Sequence, residues 1–365
     1  MPRYRSFRDL DWPLLIISLV ISMLGVLQIY SATHGDTRWH NAWWKQIIFI
    51  VVGLGLMWLT TSVDYHTLLG QVPILYSLSI VGLVATVAVG KMVFHGRRWI
   101  SIPFLGVNFQ ISEFVKLVII LMVARYLSEL KSDEVSLRDL FRLGGLVALP
   151  VALVYFQPDL GTAITCLSVL VAGVLLAGLR WQYLAAIALV VALALPAGWY
   201  MIQPYQRARL VTFLDPSLDQ LGAGYQVIQS KIAIGAGGIW GAGLTKGTQT
   251  QLRFLPAAHN DLIFSGFAEE HGFVGVVVAL GLYFLLLMQI VQNAQTAPDR
   301  AGMYICMGVA ALLLCHLLVN VGMVAGEMPL TGIPLPLMSA GGSITMSVFV
   351  MLGLVNNVRL RRFSS

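Results

Sequence analysis

Residues 254–273 read Phe254-Leu-Pro-Ala-Ala-His-Asn-Asp-Leu-Ile-Phe-Ser-Gly-Phe-Ala-Glu-Glu-His-Gly-Phe273. Pro256 ends the preceding structure, Asn260 or Asp261 can cap a helix, and the run from Leu262 is apolar enough to enter a bilayer. This pattern predicts that the carboxylate of Asp261 lies at the start of a membrane helix. Water is near that position, and the helix dipole favours a negative charge there.

Three more ionisable groups follow inside this apolar run: Glu269, Glu270 and His271. Ionisable groups in a membrane are costly and are therefore candidates for function. The alternative is a helix cap with a buried polar cluster that stabilises helix packing. Small residues also follow the carboxylate at four-, three- and four-residue steps, which puts Asp261, Ser265, Ala268 and Gly272 on one helix face. That face would form a groove that includes Ser265, or allow close helix packing.

The composition is that of a membrane protein. Of 365 residues, 58% are hydrophobic and only 11% are charged, and the mean hydropathy is +0.80; a soluble domain has about 25% charged residues. The net charge of +6 is not gathered in a basic domain, so it does not indicate nucleic-acid binding. The three cysteines lie in apolar runs and predict neither disulfides nor a metal site: Cys166, Cys306 and Cys315.

Long apolar runs predict ten membrane spans, at 13–32, 44–61, 72–92, 112–130, 143–157, 160–178, 182–200, 262–291, 302–325 and 341–358. We therefore expect an all-α polytopic membrane protein, with residues 1–365 forming a single integral membrane domain and an uncleaved first span. Basic residues at both ends favour a cytoplasmic location for both termini: Arg3, Arg5, Arg8, Arg359, Arg361 and Arg362.

A large loop, 201–261, then lies on the outer side between the seventh and eighth spans. Residues 225–234 within it have the pattern of an amphipathic interfacial helix. The glycines at 235–243 fit no nucleotide-binding motif. The loop is basic, which indicates an anionic substrate or lipid headgroup, or a simple solvated surface: Arg207, Arg209, Lys231, Lys246 and Arg253.

Other polar groups lie near the predicted outer membrane surface. Glu113 and Lys116 are three residues apart on one helix face, as either an ion pair that joins helices or a substrate contact. Asp159 follows Pro158, where an Asx turn is its simplest role. Glu327 is the acidic group of a proline-rich outer segment, 326–342, that we expect at membrane depth.

Several ordered motifs resemble the SEDS family (shape, elongation, division and sporulation) over nearly the full length. They are Gln110-Ile-Ser-Glu-Phe-Val-Lys116, Gln157-Pro-Asp-Leu-Gly-Thr162, Asp215-Pro with Leu221-Gly-Ala-Gly-Tyr225, Gln229-Ser-Lys-Ile-Ala-Ile-Gly235, Phe254-Leu-Pro256, Ala268-Glu-Glu270, and Gly332-Ile-Pro-Leu-Pro-Leu-Met-Ser339 with Gly341-Gly342. Gly247-Thr-Gln249 is similar to the RodA branch, associated with cell elongation. Ala257 and Asn260 depart from the family pattern, which usually has Glu and Thr there.

The resemblance implies a membrane glycosyltransferase that polymerises lipid II into peptidoglycan, with a class B penicillin-binding protein as its crosslinking partner. It implies a site on the outer face of the bacterial cytoplasmic membrane, in contact with membrane lipids. The lipid pyrophosphate donor is already activated, so no cofactor is required. We expect the Asp9-Leu-Asp11 pattern to be a helix cap rather than a nucleotide-sugar site.

For this chemistry Asp261 is the candidate general base for the acceptor hydroxyl, provided that burial or nearby carboxylates raise its pKa. Positive charge from Arg, Lys or a divalent cation must offset the leaving pyrophosphate. Eight residues are candidates for substrate binding: Arg207, Arg209, Lys231, Lys116, Glu113, Asp159, Ser265 and Glu327. The alternatives are a lipid II flippase and a non-catalytic scaffold that activates a penicillin-binding protein.

Overall fold

The computed structural model describes residues 10–362 except 36, 38, 94–95, 103–106, 131, 133, 202–203 and 220–221. The basic head at Arg3, Arg5 and Arg8, together with Asp9, lies outside the described residues. The helices are α1 (Trp12–Thr33), α2 (Ala42–Ser62), α3 (Tyr65–Gly70), α4 (Val72–Val89), α5 (Ile111–Ser128), α6 (Leu137–Phe156), α7 (Leu160–Leu176), α8 (Trp181–Met201), α9 (Pro204–Leu214), α10 (Ala223–Ala236), α11 (Thr248–Gln251), α12 (Ile263–Gln295), α13 (Arg300–Ala325) and α14 (Gly342–Arg361).

The all-α polytopic membrane fold is confirmed. Each predicted span coincides with a helix: α1, α2, α4, α5, α6, α7, α8, α12, α13 and α14. Among the described helices, seven are both long and apolar enough to cross a membrane. Helix α7 is apolar but shorter, and α5 contains charged side chains, so ten crossings stay a prediction.

Two segments expected as loops have regular structure. Residues 91–109 contain a small antiparallel sheet of β1 (Lys91–Val93), β2 (Gly96–Ile102) and β3 (Val107–Phe109), in the order β1-β2-β3. The large loop between α8 and α12 contains three helices and a short 3-10 turn (Pro216–Leu218). The helix predicted at 225–234 is confirmed as the central part of α10, and its position in the membrane interface stays a prediction.

The span predicted at 262–291 corresponds to α12, but this helix is interrupted at one residue. Gly272 has φ 65° and ψ −167°, which breaks α12 into halves 263–271 and 273–295. Glycine tolerates this backbone because it lacks a Cβ. At about 1.5 Å per residue, the second half alone is long enough for a hydrocarbon core of about 30 Å.

The break frees backbone groups that another segment satisfies. The amides of Ala242 and Gly243 donate to the carbonyls of Glu269 and Glu270, both at 2.9 Å. In the other direction, the amides at 273 and 274 donate to the carbonyls at 238 and 239, at 2.9 and 3.1 Å. Irregular backbone at membrane depth needs such protein partners because lipid offers none.

Helices α5, α13 and α14 form the buried centre of the bundle, and glycines let neighbouring helices approach. A Cβ on Gly53 would meet the Phe349 ring at 2.7 Å, and a Cβ on Gly308 would meet Ile120 at 3.1 Å. Close backbone approach of this kind is how membrane helices gain packing contacts.

At the end of the bundle where α1 begins and α14 ends, Asp11 caps α1 as predicted. Its carboxylate accepts from the Leu14 amide at 3.2 Å. It is fully buried and pairs with Arg359 at 3.0 Å, and it also accepts hydrogen bonds from Gln289 and Asn293. Asp11 therefore ties α1, α12 and α14 together.

Candidate active site

Two loops converge at the opposite end of α12, and one buried side chain joins them. These are residues 252–262, before α12, and 326–341, between α13 and α14. The Nδ2 of Asn320 on α13 donates to the main-chain oxygen of Asp261 at 2.9 Å and to that of Ile333 at 2.7 Å. The Oγ of Ser339 accepts from the Leu335 amide and donates to the Asn260 oxygen, both at 2.8 Å.

The carboxylate of Asp261 lies against Gly332 in the second loop. A Cβ added at Gly332 would be 3.2 Å from Asp261 Oδ2, and the φ of Gly332 is +73°. Only glycine provides both the room and the backbone angle. Neither of the two possible caps, Asn260 and Asp261, is the N-cap of α12: that position is Leu262, without a side-chain hydrogen bond. The predicted groove face is wrong as well, because Asp261 lies outside the helix and Gly272 breaks it.

The surroundings of Asp261 favour a carboxyl group that titrates near neutrality. The side chain keeps a partly exposed edge, yet protein atoms surround it densely. Burial raises the pKa of Asp261 from its ordinary 3.8 to about 7, with Arg209 and Arg98 lowering the pKa and Asp159 raising it. A base with a pKa near the working pH suits proton transfer from a hydroxyl group.

Asp159 approaches from the turn between α6 and α7. Its Oδ1 caps α7 by accepting from the Thr162 amide at 3.1 Å, and its Oδ2 accepts from Gln110 Nε2 at 3.0 Å. The turn packs on the second loop, because a Cβ on Gly161 would collide with Ile333 at 2.5 Å. The simple turn role predicted for Asp159 is thus confirmed as a cap, in a position that also acts on Asp261.

Arg98 is a residue that the sequence did not single out. It lies on β2, where its Nε donates to the Gln157 oxygen at 3.0 Å and its Nη1 is 3.9 Å from Asp159 Oδ1. The sheet that carries Arg98 to the site has three short strands, and its sequence mixes apolar and charged residues without a strong pattern.

The predicted basic residues have different surroundings: Arg209 lies near Asp261, and Arg207 and Lys231 have other neighbours. Arg209 on α9 lies close enough to Asp261 to lower its pKa, whereas Arg207 donates to the Tyr200 oxygen at 2.8 Å. Lys231 on α10 lies over the backbone of Gly326, where a Cβ would be 2.5 Å from Nζ. Glu327 is the next residue and is exposed. Lys231 and Glu327 therefore lie at the start of the second loop.

Glu113 and Lys116 form a buried network beneath this loop. Lys116 is 1% exposed, and its Nζ donates to Glu113 Oε1 at 2.8 Å and to His316 Nε2 at 3.1 Å. His316 Nδ1 therefore carries the proton and donates to the Pro334 oxygen at 3.1 Å. Ser347 donates to Glu113 Oε2 at 3.3 Å. The pair joins α5, α13 and α14 and supports the loop that holds Gly332.

Glu269 and Glu270 on α12 hold neighbouring segments against this helix: Glu269 bonds to α11 and Glu270 to α1. The Glu269 carboxylate accepts from the amides of Gln249 at 2.7 Å and Thr250 at 3.0 Å, and from the Thr250 hydroxyl at 2.8 Å. Glu270 accepts from Ser31 on α1 at 2.5 Å. Of the two interpretations of the acidic cluster, this geometry supports the structural one. Ser265 is fully buried and so does not line an open surface.

Comparison with known proteins identifies the chain. The family described as "Cell cycle protein", which comprises FtsW, RodA and SpoVE, matches residues 11–363. The chain belongs to the FtsW/RodA/SpoVE family. The SEDS resemblance and its RodA-like character are thereby confirmed.

Relatives in this family cover essentially the whole chain. The peptidoglycan glycosyltransferase MrdB of Escherichia coli (strain K12) is 37% identical, over 99% of this chain and 97% of that protein. The peptidoglycan glycosyltransferase RodA of Treponema pallidum (strain Nichols) is 32% identical, over 99% of this chain and 100% of that protein.

Solved structures of the family have the same fold. A chain from a peptidoglycan synthase complex that coordinates polymerization and crosslinking has a TM-score of 0.84 at 34% identity. The rod shape determining protein RodA of Thermus thermophilus has a TM-score of 0.73 at 28% identity. Each comparison covers 98% of this chain and 99% of the other.

Proposed function

We propose that this chain is a peptidoglycan glycosyltransferase that polymerises lipid II during cell elongation, with Asp261 as the general base. The observation that carries the proposal is the Asp261 carboxylate, packed against Gly332, with a pKa of about 7 and with Arg209 and Arg98 nearby. Family membership and the peptidoglycan glycosyltransferase activity named for MrdB and RodA support the reaction class.

In the proposed reaction, the acceptor 4-hydroxyl oxygen attacks the anomeric carbon of the lipid-linked donor. The bond between that carbon and the pyrophosphate oxygen breaks, and the hydroxyl proton passes to Asp261. The pyrophosphate leaves with additional negative charge, which Arg209 and Arg98 offset at short range. Arginine suits this role because its planar fork can bind phosphate oxygens in pairs.

The proposed site faces outward from the bacterial cytoplasmic membrane. Asp261 lies two residues before Ile263, where α12 begins, whereas Asp11 and Arg359 contact Asn293 near the other end of α12. The site therefore lies at one end of a membrane-length helix, and the start of α1 and the end of α14 lie at the other. With both termini in the cytoplasm, the site meets lipid II in the outer leaflet, where a class B penicillin-binding partner can crosslink the product.

The experiment is polymerisation of purified lipid II by the protein in liposomes, with and without the class B partner. We expect the unaltered chain or its complex to form glycan polymer and Asp261→Asn to form none. Asp215→Asn is the matched control, because Asp215 is an exposed aspartate in the same large loop, 201–261. Equal polymer from Asp261→Asn and the unaltered chain would refute the assignment of the base.

The same assay separates the alternatives. A complex that binds its partner yet forms no polymer would refute the enzyme proposal, and a lipid-flipping assay would then distinguish flippase from scaffold. The described residues contain no cluster of three or more His, Cys, Asp or Glu side chains that could hold a metal. Activity that persists in EDTA would support arginine as the source of positive charge, and loss restored by Mg²⁺ would require a divalent cation.

A further inference from the structure

An exposed apolar turn lies beside the break in α12. We call residues 238–241 the Trp240 turn; its two central side chains, Ile239 and Trp240, are 63% and 80% exposed. Phe273, the first residue after the break, is 65% exposed. Three large apolar side chains thus lie on the surface, on two segments that are hydrogen-bonded to each other.

The backbone fixes the position of this turn relative to the membrane-length half of α12. The Phe273 amide donates to the Gly238 oxygen at 2.9 Å and the Val274 amide to the Ile239 oxygen at 3.1 Å. Gly241 has φ +81°, and a Cβ there would lie 2.2 Å from the Glu270 oxygen. The turn therefore cannot move away from the first residues of this half-helix without losing these bonds.

The surface of the Trp240 turn continues directly into the outward face of α12. Val274, Val277 and Val278 on that face are all exposed, as expected for side chains that contact lipid. An apolar patch of this extent in contact with water would be unfavourable. Tryptophan is enriched where a membrane protein crosses the boundary between headgroups and acyl chains.

From this continuity we propose that the Trp240 turn inserts into the lipid interface beside Phe273, where the membrane-length half of α12 begins. Its occupant is bilayer lipid, with Trp240 among the headgroups and upper acyl chains. The turn leads through residues 242–247 to α11, which Glu269 clamps. The insertion fixes the depth of the active-site loops relative to the membrane surface. It does not depend on the proposed catalytic role of Asp261.

The test is the accessibility of a nitroxide label in proteoliposomes. Trp240→Cys is compared with Lys246→Cys, an exposed polar position in the same segment, in a background with Cys315→Ser because Cys315 is only partly buried. We expect the label at 240 to collide with oxygen rather than with water-soluble nickel chelate, at a depth of about 5–10 Å below the phosphates. The label at 246 should show the reverse.

Two results would overturn the proposal. Nickel accessibility at 240 equal to that at 246 would place the turn in water, and exclusion of both reagents would mean that protein covers it. If Trp240→Cys does not fold, brominated lipid provides a second measurement. The fluorescence of Trp240 is the part of the emission that Trp240→Phe loses, and that of Trp44, an exposed tryptophan at the start of α2, is the part that Trp44→Phe loses. Brominated lipid should quench both parts equally strongly. If it does not quench the fluorescence of Trp240, lipid contact is contradicted.

Discussion

Replacing Asp261 by Asn should stabilise the protein at alkaline pH while it removes activity. In the unfolded chain this carboxyl group loses its proton near its ordinary pKa of 3.8, whereas the folded state retains the proton up to about 7. Between these values the folded state binds more protons, so its stability falls as the pH rises. Asn stays neutral and does not undergo this loss.

The magnitude follows from the pKa difference. A shift from 3.8 to about 7, at about 1.4 kcal/mol per unit, corresponds to about 4 kcal/mol of unfolding free energy. The partly exposed edge of Asp261 lets water reduce this figure, so we expect between about 2 and 4 kcal/mol at pH 8. Near pH 4 the two proteins should be almost equally stable.

The assay is thermal unfolding of both proteins in detergent across this pH range, with Asp215→Asn as the control. The difference in unfolding temperature between Asp261→Asn and the unaltered chain should widen as the pH rises. The difference between Asp215→Asn and the unaltered chain should not. The activity of the unaltered chain should rise with pH through about 7. A difference that does not depend on pH, or an Asn variant that is less stable at alkaline pH, would refute the reasoning.

Three further substitutions test the supports of the site. Asn320→Ala removes the side-chain amide that two loop carbonyls share. We expect a loss of about 100-fold in polymerisation rate, and the rising limb of the pH–activity profile should move to lower pH. A purely structural role of Asn320 would leave that limb in place. Glu269→Gln leaves amide or hydroxyl donors of the 248–250 segment unpaired, so limited proteolysis there should accelerate and stability should fall by about 3 kcal/mol; an unchanged cleavage rate would contradict the clamp. Lys116→Met leaves Glu113 unpaired in the core and should cost about 3–5 kcal/mol in thermal unfolding; adding Glu113→Gln should restore much of it, and no recovery would argue against a mainly structural pair.

Much of the fold could be predicted because its causes are local. Apolar runs of membrane length located every long helix that the structure describes, and the spans predicted at 143–157 and 160–178 correspond to α6 and α7. The same local patterns cannot show which glycine adopts a left-handed angle. Gly272 differs from its neighbours only through contacts with the turn at 238–243, which lies far away in sequence.

The candidate site was predicted only in part for the same reason. Asp261 could be singled out as a carboxylate beside an apolar run, but its contacts with Gly332 and Asn320 cross about 60–70 residues of sequence. Arg98 reaches the site on a short sheet whose sequence shows only a weak strand pattern. The hydrogen bonds that Glu269 accepts depend on where α11 packs against α12. Such long-range placements follow from tertiary packing, which periodicity does not encode.

The break at Gly272 also bears on how the chain is made. The turn at 238–243 precedes α12 in sequence, so it has already been synthesised when residues 269–274 emerge. The backbone groups of that break can therefore find their partners at once, before the second half of α12 settles in the bilayer. A protein with these segments in the reverse order would have to hold unpaired carbonyls at the membrane surface until synthesis caught up.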